Sequence, residues 1–389
     1  MNKKLAASIR TASAVAMFAC GAAHALDWNG YLRAGPGEKG STGDRQSCFS
    51  AQGGDNTFGH GGVGRLGNEC ETYGEFTLSQ GGKAGGIDFK TILMTNFYRP
   101  GSDIGAEKLG VNQAWVQASG FDFAPDVSFW AGKRFGNRAF VYFDDYFPIN
   151  MTGTGAGVDG IKIGDAALGL AVFRDGDDTP NPGTRLNADL GGINTNPGGK
   201  LRITGVATSF SGPGGSSGAG LSLQHDQAGV LGGVNTLWLQ YAKGSAEANM
   251  NFAPGNSTSD RKAWRIVESM LWGKGPLTGQ LMLRYGQYGP DNARVDFSSI
   301  GGRVAYAFTR NFKLQAELGT GVNKPEGGAS QRLTKFTVAP TLTTGPDWLD
   351  RPELRLYVSR FDWNGAYAAA NAQKRTSKTA AGVQVEIWF

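Results

Sequence analysis

The sequence predicts an all-β protein, a closed antiparallel β-barrel that crosses a membrane. Three observations carry the prediction. Short segments of alternating polarity recur from residue 26 to residue 389. After the first 25 residues, no stretch approaches the roughly 18 apolar residues of a membrane helix. The last segment alternates cleanly: Val383, Val385, Ile387 and Phe389 share one parity, and Gln384, Glu386 and Trp388 the other. Successive strand side chains point to opposite faces, so one face is wholly apolar and the other polar with an aromatic. A closing barrel strand between lipid and a watery lumen has that pattern.

Residues 1–25 read as a secretory signal. Lys3, Lys4 and Arg10 supply its basic start, residues 14–23 are apolar, and Ala23-His24-Ala25 is a small-x-small cleavage site. Those three cations leave with it, which lowers the formal net charge from +5 to +2. That balance does not point to a nucleic-acid partner. Cleavage also removes Cys20 and leaves Cys48 and Cys70. In an oxidising compartment an even pair suggests one disulfide, with two free thiols as the alternative. A loop of about 22 residues would gain about 3 kcal/mol from such a bond. Only His60 and His225 remain after cleavage, which disfavours zinc.

Residues 26–389 read as one domain. Candidate strands are 26–34, 71–79, 86–95, 112–119, 127–134, 160–163, 168–174, 200–210, 219–225, 236–242, 264–272, 280–288, 295–307, 312–319, 333–342, 354–360 and 380–389. That makes about seventeen, close to the even numbers of bacterial barrels. Short turns such as Asn196-Pro197-Gly198-Gly199 suit the periplasmic side, and longer polar stretches at 175–187, 245–261 and 364–379 suit external loops. Glycine is abundant, 61 of 389 residues, about twice the usual ~7%, and it clusters between the alternating segments.

The alternation also assigns faces. Thr72, Gly74, Phe76 and Leu78 share one side, and Glu71, Tyr73, Glu75 and Thr77 the other. Phe312, Leu314, Ala316 and Leu318 oppose Lys313, Gln315 and Glu317. A cation at mid-depth on the lipid side costs roughly 2–4 kcal/mol, so the charged faces must line a lumen. That lumen face carries Tyr31 with Arg33, Tyr73 with Glu75, and Trp363 and Trp388. Rings stack on the apolar faces of sugar rings, and charged groups exchange hydrogen bonds with hydroxyls. Many weak contacts let a cargo leave as well as bind. Two plainer readings compete: interface-belt aromatics, and lumen charges that only pair with each other.

At this point the sequence resembles the maltoporin-type carbohydrate porins. The likeness runs through Asp27-Trp28-Asn29-Gly30-Tyr31-Leu32-Arg33, Arg65-Leu66-Gly67-Asn68-Glu69-Cys70 and Trp130-Ala131-Gly132-Lys133-Arg134-Phe135. It continues in Gly153-Thr154-Gly155-Ala156-Gly157 and Asn196-Pro197-Gly198-Gly199, and closes with Arg351-Pro352-Glu353-Leu354-Arg355 and Glu386-Ile387-Trp388-Phe389. The resemblance implies about eighteen strands, an inward-folded constriction loop at about 137–157, a homotrimer in outer-membrane lipid, and saccharide cargo without cofactor or metal. It places an aromatic slide on Tyr31, Tyr73, Trp363 and Trp388. It places a polar track on Arg33, Arg65, Glu75, Arg138 and Asp145, and a loop disulfide on Cys48 and Cys70.

The chain departs from the family pattern at several places. The constriction tyrosine falls on Phe147 and one track arginine on Asn112. One track aspartate falls near Phe140, with Asp144 as a substitute, and a mid-barrel slide phenylalanine falls near Ser222. A general diffusion porin is therefore the alternative function. A barrel enzyme is disfavoured: it needs a nucleophile with a positioned base, and no G-x-S-x-G elbow precedes a helix.

Overall fold

The computed structural model describes residues 26–35, 39–40, 61–69, 72–99, 109–175, 183–210, 216–253 and 259–389. The expected signal and Cys48 and Cys70 lie outside them. Eighteen strands form the barrel. The first nine are β1 (Asp27–Ala34), β2 (Thr72–Ala84), β3 (Ile87–Arg99), β4 (Gly110–Phe121), β5 (Ala124–Arg134), β6 (Gly153–Ile163), β7 (Ala166–Asp175), β8 (Gly183–Asn194) and β9 (Gly199–Phe210). The second nine are β10 (Ser217–Val230), β11 (Gly233–Gly244), β12 (Lys262–Lys274), β13 (Leu277–Gly289), β14 (Val295–Thr309), β15 (Phe312–Pro325), β16 (Gln331–Thr343), β17 (Glu353–Trp363) and β18 (Ser377–Trp388). Each pairs antiparallel with its sequence neighbours, and β18 closes on β1 with Tyr31 opposite Trp388 and Arg33 opposite Glu386.

Burial is inverted, as a membrane barrel requires. On β15 Leu318 is 55% exposed, whereas Glu317 is 1%. Lys313 and Gln315 are buried as well, and Phe312 and Leu314 are exposed. The outer wall carries aromatics near both rims. Trp28 stacks on Phe389, and Tyr306 meets Phe308, at the end with short turns. Trp264 meets Tyr285 at the end with long loops. Such belts sit at headgroup level.

The sequence pattern misses β8 and starts β6 seven residues late. The segment Gly183–Asn194 carries three Asn or Asp residues and a Gly-Gly pair, all poor strand formers. Tertiary pairing wins: Leu186 faces outward while Arg185 and Asn187 are buried inside. A register shift falls between Leu190 and Ile193, at the glycines. β6 opens on Gly153-Thr154-Gly155-Ala156-Gly157, which reads as loop. Gly155 is held in the ladder between Gly132 and Phe173, and only glycine fits there, because a Cβ would lie 2.0 Å from the Val172 carbonyl oxygen.

Among the described residues, segments 61–69, 135–152 and 245–253 fold into the lumen. Val63, Leu66, Val141, Phe143, Tyr146, Ile149, Ala246 and Met250 are all fully buried there. Segment 61–69 lies flat on the wall because Gly64 and Gly67 have positive φ and no side chain. A Cβ on Gly64 would strike Glu317, and one on Gly67 would strike Ser359. Beyond β17, α1 (Gly365–Ala370) starts at Asn364, whose side chain accepts from the Tyr367 backbone N–H at 3.0 Å.

Candidate functional site: the lumen constriction

Segment 135–152 builds the constriction. Its short strands Ala139–Val141 and Tyr146–Ile149 pair as a hairpin around a 3-10 turn, Tyr142–Asp144. The hairpin is pinned to the wall through its backbone. The Phe143 N–H donates to Gln280 Oε1 at 2.8 Å, and the Pro148 carbonyl accepts from Gln240 at 2.9 Å and Arg265 at 3.1 Å. The adjacent residues Asp144 and Asp145 then part company. Asp144 is fully buried and accepts from the N–H groups of Gly62 and Gly64, at 3.0 and 3.3 Å, and pairs with Arg284 at 3.2 Å. It fastens the two inserted segments together and is not a track residue. Asp145 sits in the left-handed region, φ 52°, which turns its carboxylate toward Arg33 at 3.1 Å.

A continuous polar line follows from there. Arg33 also pairs with Glu69 at 3.1 Å. Arg65 donates to Glu69 at 2.6 Å, to the Tyr31 hydroxyl at 2.6 Å and to Glu386 at 2.9 Å. Tyr31 in turn donates to Glu386 at 2.8 Å. Glu386 also receives Arg351 at 2.9 Å, together with Arg355 and the Tyr142 hydroxyl. On β2 the Tyr73 hydroxyl donates to Glu75, which also accepts from Asn112 at 2.7 Å. Arg138 donates to Thr152 at 2.9 Å. Burial lowers its guanidinium to about 10, opposed by the nearby Glu75, Tyr73 and Asp145; it stays a cation at neutral pH.

The rings form two groups. Tyr31 and Tyr73 lie 6.2 Å apart on the wall, with Arg33 5.3 Å from the Tyr73 ring. On the loop side Phe147 and Phe140 lie 5.0 Å apart, Phe140 meets Tyr142 edge-on at 5.9 Å, and Tyr142 meets Trp388 at 5.8 Å. Phe140 is 43% exposed and Trp388 36%. Phe147 is half-buried, whereas its neighbour Tyr146 is the ring turned inward under Arg265 and Arg284. Open ring faces therefore stand beside a line of fixed donors and acceptors. This surface can stack on one face of a sugar and hydrogen-bond its edge.

The LamB porin family model matches residues 26–389. The chain belongs to the LamB porin family. A maltoporin of Hahella chejuensis is 30% identical over 420 residues, covering 100% of this chain and 99% of that protein. A maltoporin of Vibrio cholerae serotype O1 is 28% identical over 432 residues, covering 98% of this chain and 99% of that protein. Among solved structures, the outer membrane protein opdK of Pseudomonas aeruginosa superposes with a TM-score of 0.53 at 12% identity, over 94% of this chain and 98% of that one. OccD3 (OpdP) of the same organism gives 0.51 at 11%, over 94% and 91%. These two likenesses concern the fold alone. As a LamB porin, the chain is an outer-membrane β-barrel channel.

Within this porin the structure brings together Tyr31, Tyr73, Trp388, Arg33, Arg65, Glu75, Arg138, Asp145 and Phe147. Trp363 stands apart, at the loop end of β17. It is 6% exposed, donates to the Arg375 carbonyl at 2.6 Å, and packs with Val63, Leu333 and Tyr367 beside α1. Its ring supports the inserted segment at Val63. Sequence reasoning missed Tyr142, Glu69 and the pair Arg351 and Arg355, which hold the constriction from behind. Glu69, Arg351 and Arg355 stand in the motifs that carry the resemblance, and Glu386 shares its parity with Trp388; Tyr142 had no signal.

Proposed function

We propose that this porin carries carbohydrates, maltodextrin-like or other small oligosaccharides, by facilitated diffusion. The long-loop end faces outside and the short-turn end the periplasm. The observation that carries this reading is the constriction itself: exposed rings at Phe140 and Trp388 beside a fixed line of Arg33, Asp145 and Glu69. A ring gains by stacking on a pyranose, and each polar partner trades one weak hydrogen bond for the next as cargo moves. Tyr31, Tyr73 and Trp388 act as the slide. Arg33, Glu75, Arg138 and Asp145 act as the track, with Arg65, 1% exposed, anchoring it from behind, and Phe147 acts as the gate. Cys48 and Cys70 are read as the loop disulfide, and the assembled form as a homotrimer, both on the sequence resemblance.

Because Phe147 lacks a hydroxyl and Trp363 is withdrawn into a packed cluster, sugar binding is expected to be weaker and broader than in a porin with a full slide. The test is swelling of porin-loaded liposomes in maltotriose, sucrose and glucose against non-sugar solutes of matched size. Sugars that permeate faster than their size-matched controls support the reading. Permeation that follows size alone would favour a general diffusion porin.

A further inference from the structure

Below the constriction, on its short-turn side, the inner wall carries a hollow of about 430 Å³ between β4 and β8. Small-molecule sites occupy about 300–1,000 Å³. Its floor is small because Gly160, Ala167, Gly169 and Gly191 line it on adjacent strands. Two ladders shift register here, β6 with β7 between Leu168 and Leu170, and β8 with β9 between Leu190 and Ile193. Bulges of this kind recur where a wall is re-aimed beside a site.

The rim is polar and already ordered. Arg134 pairs with Asp159 at 2.6 Å while its guanidinium lies 4.9 Å from both the Trp115 and the Trp130 rings. Arg202 holds Asp189 with two bonds, at 2.7 and 2.9 Å, and donates to the Asn137 carbonyl at 2.7 Å. The Asn137 amide donates to Asp189 at 2.9 Å. Two Arg–Asp pairs leave little net charge, so an anion would have to displace a carboxylate. A neutral polyol meets donors and acceptors side by side without breaking either pair. Asn137 belongs to the constriction segment and precedes Arg138, so the hollow adjoins the constriction.

We propose that this hollow is a second saccharide subsite, taking the leading ring of an oligosaccharide whose trailing part occupies the constriction. The inference rests on the reading of the pore as a carbohydrate channel. It implies a dependence on chain length: glucose fills the constriction alone, whereas maltotriose reaches both.

Ala167→Leu fills the floor, and Asp189→Asn alters the rim at nearly constant shape. Single-channel block by glucose and by maltotriose is measured for the parent and both variants, with open-channel current as the control for folding. Loss of one or two net hydrogen bonds should weaken maltotriose binding about fivefold, with glucose within about twofold. If maltotriose binding is unchanged in whichever variants conduct, the subsite is overturned. If glucose and maltotriose weaken equally, the hollow acts only on the shape of the constriction and the proposal also falls. If neither sugar blocks the parent, the carbohydrate reading itself fails.

Discussion

Replacing Asp144 by Ala should open the pore without opening the barrel. The carboxylate is fully buried, takes the N–H groups of Gly62 and Gly64, and pairs with Arg284. Arg284 is itself buried, 4% exposed at its side chain. Truncating one partner of a buried ion pair costs about 3–5 kcal/mol, and each buried N–H deprived of its acceptor about 1–3 kcal/mol. The eighteen-strand ladder does not depend on these contacts; the seating of segment 61–69 against the constriction hairpin does. Local opening is then favoured by a factor of about 100 or more. The assay is single-channel recording at fixed voltage. The expected result is a larger, noisier open current with weakened sugar block, and Asp144→Asn should lie between it and the parent. A quiet Asp144→Ala channel with the parent's conductance and sugar block would refute the role given to this carboxylate.

Trp388→Ala removes an exposed ring at the constriction and should weaken maltotriose block about fivefold, equivalent to about 1 kcal/mol of aromatic contact. Trp363→Ala should act differently: loss of a packed Trp costs about 3–5 kcal/mol, read as a lower thermal unfolding midpoint of the detergent-solubilised porin, with open-channel sugar binding within about twofold of the parent. Phe147→Tyr restores a hydroxyl beside Arg138 and should tighten maltotriose binding about threefold, one modest net hydrogen bond, by titration of block. Glu386→Gln strips the carboxylate from Arg65, Arg351 and Arg355 and should loosen the same lumen half as Asp144→Ala, seen as excess current noise.

The faces of the barrel were legible because a charge cannot face lipid. Lys313, Gln315 and Glu317 against Phe312, Leu314 and Leu318 needed no further information. Strands were lost where polar or glycine-rich sequence is held only by its neighbours, as in β8 and the start of β6. The place of Tyr31, Arg33, Tyr73, Glu75 and Trp388 on the lumen face followed from parity. The inserted segments did not, because a glycine run such as Gly61-Gly62-Val63-Gly64 says nothing of the surface it will lie on. Asp144 and Asp145 are indistinguishable in sequence; one left-handed residue sends the first to a structural clasp and the second to the pore. Trp363 shows the limit of resemblance, since its ring is taken up by Val63, Leu333 and Tyr367.

The most direct test of the whole account is the conductance of single channels in a planar bilayer, titrated with maltotriose. A carbohydrate channel should show concentration-dependent, saturable closure, in steps of one third for the proposed trimer. An ohmic current indifferent to maltotriose, sucrose and glucose at every concentration would contradict it, and the constriction would then be no more than a size filter.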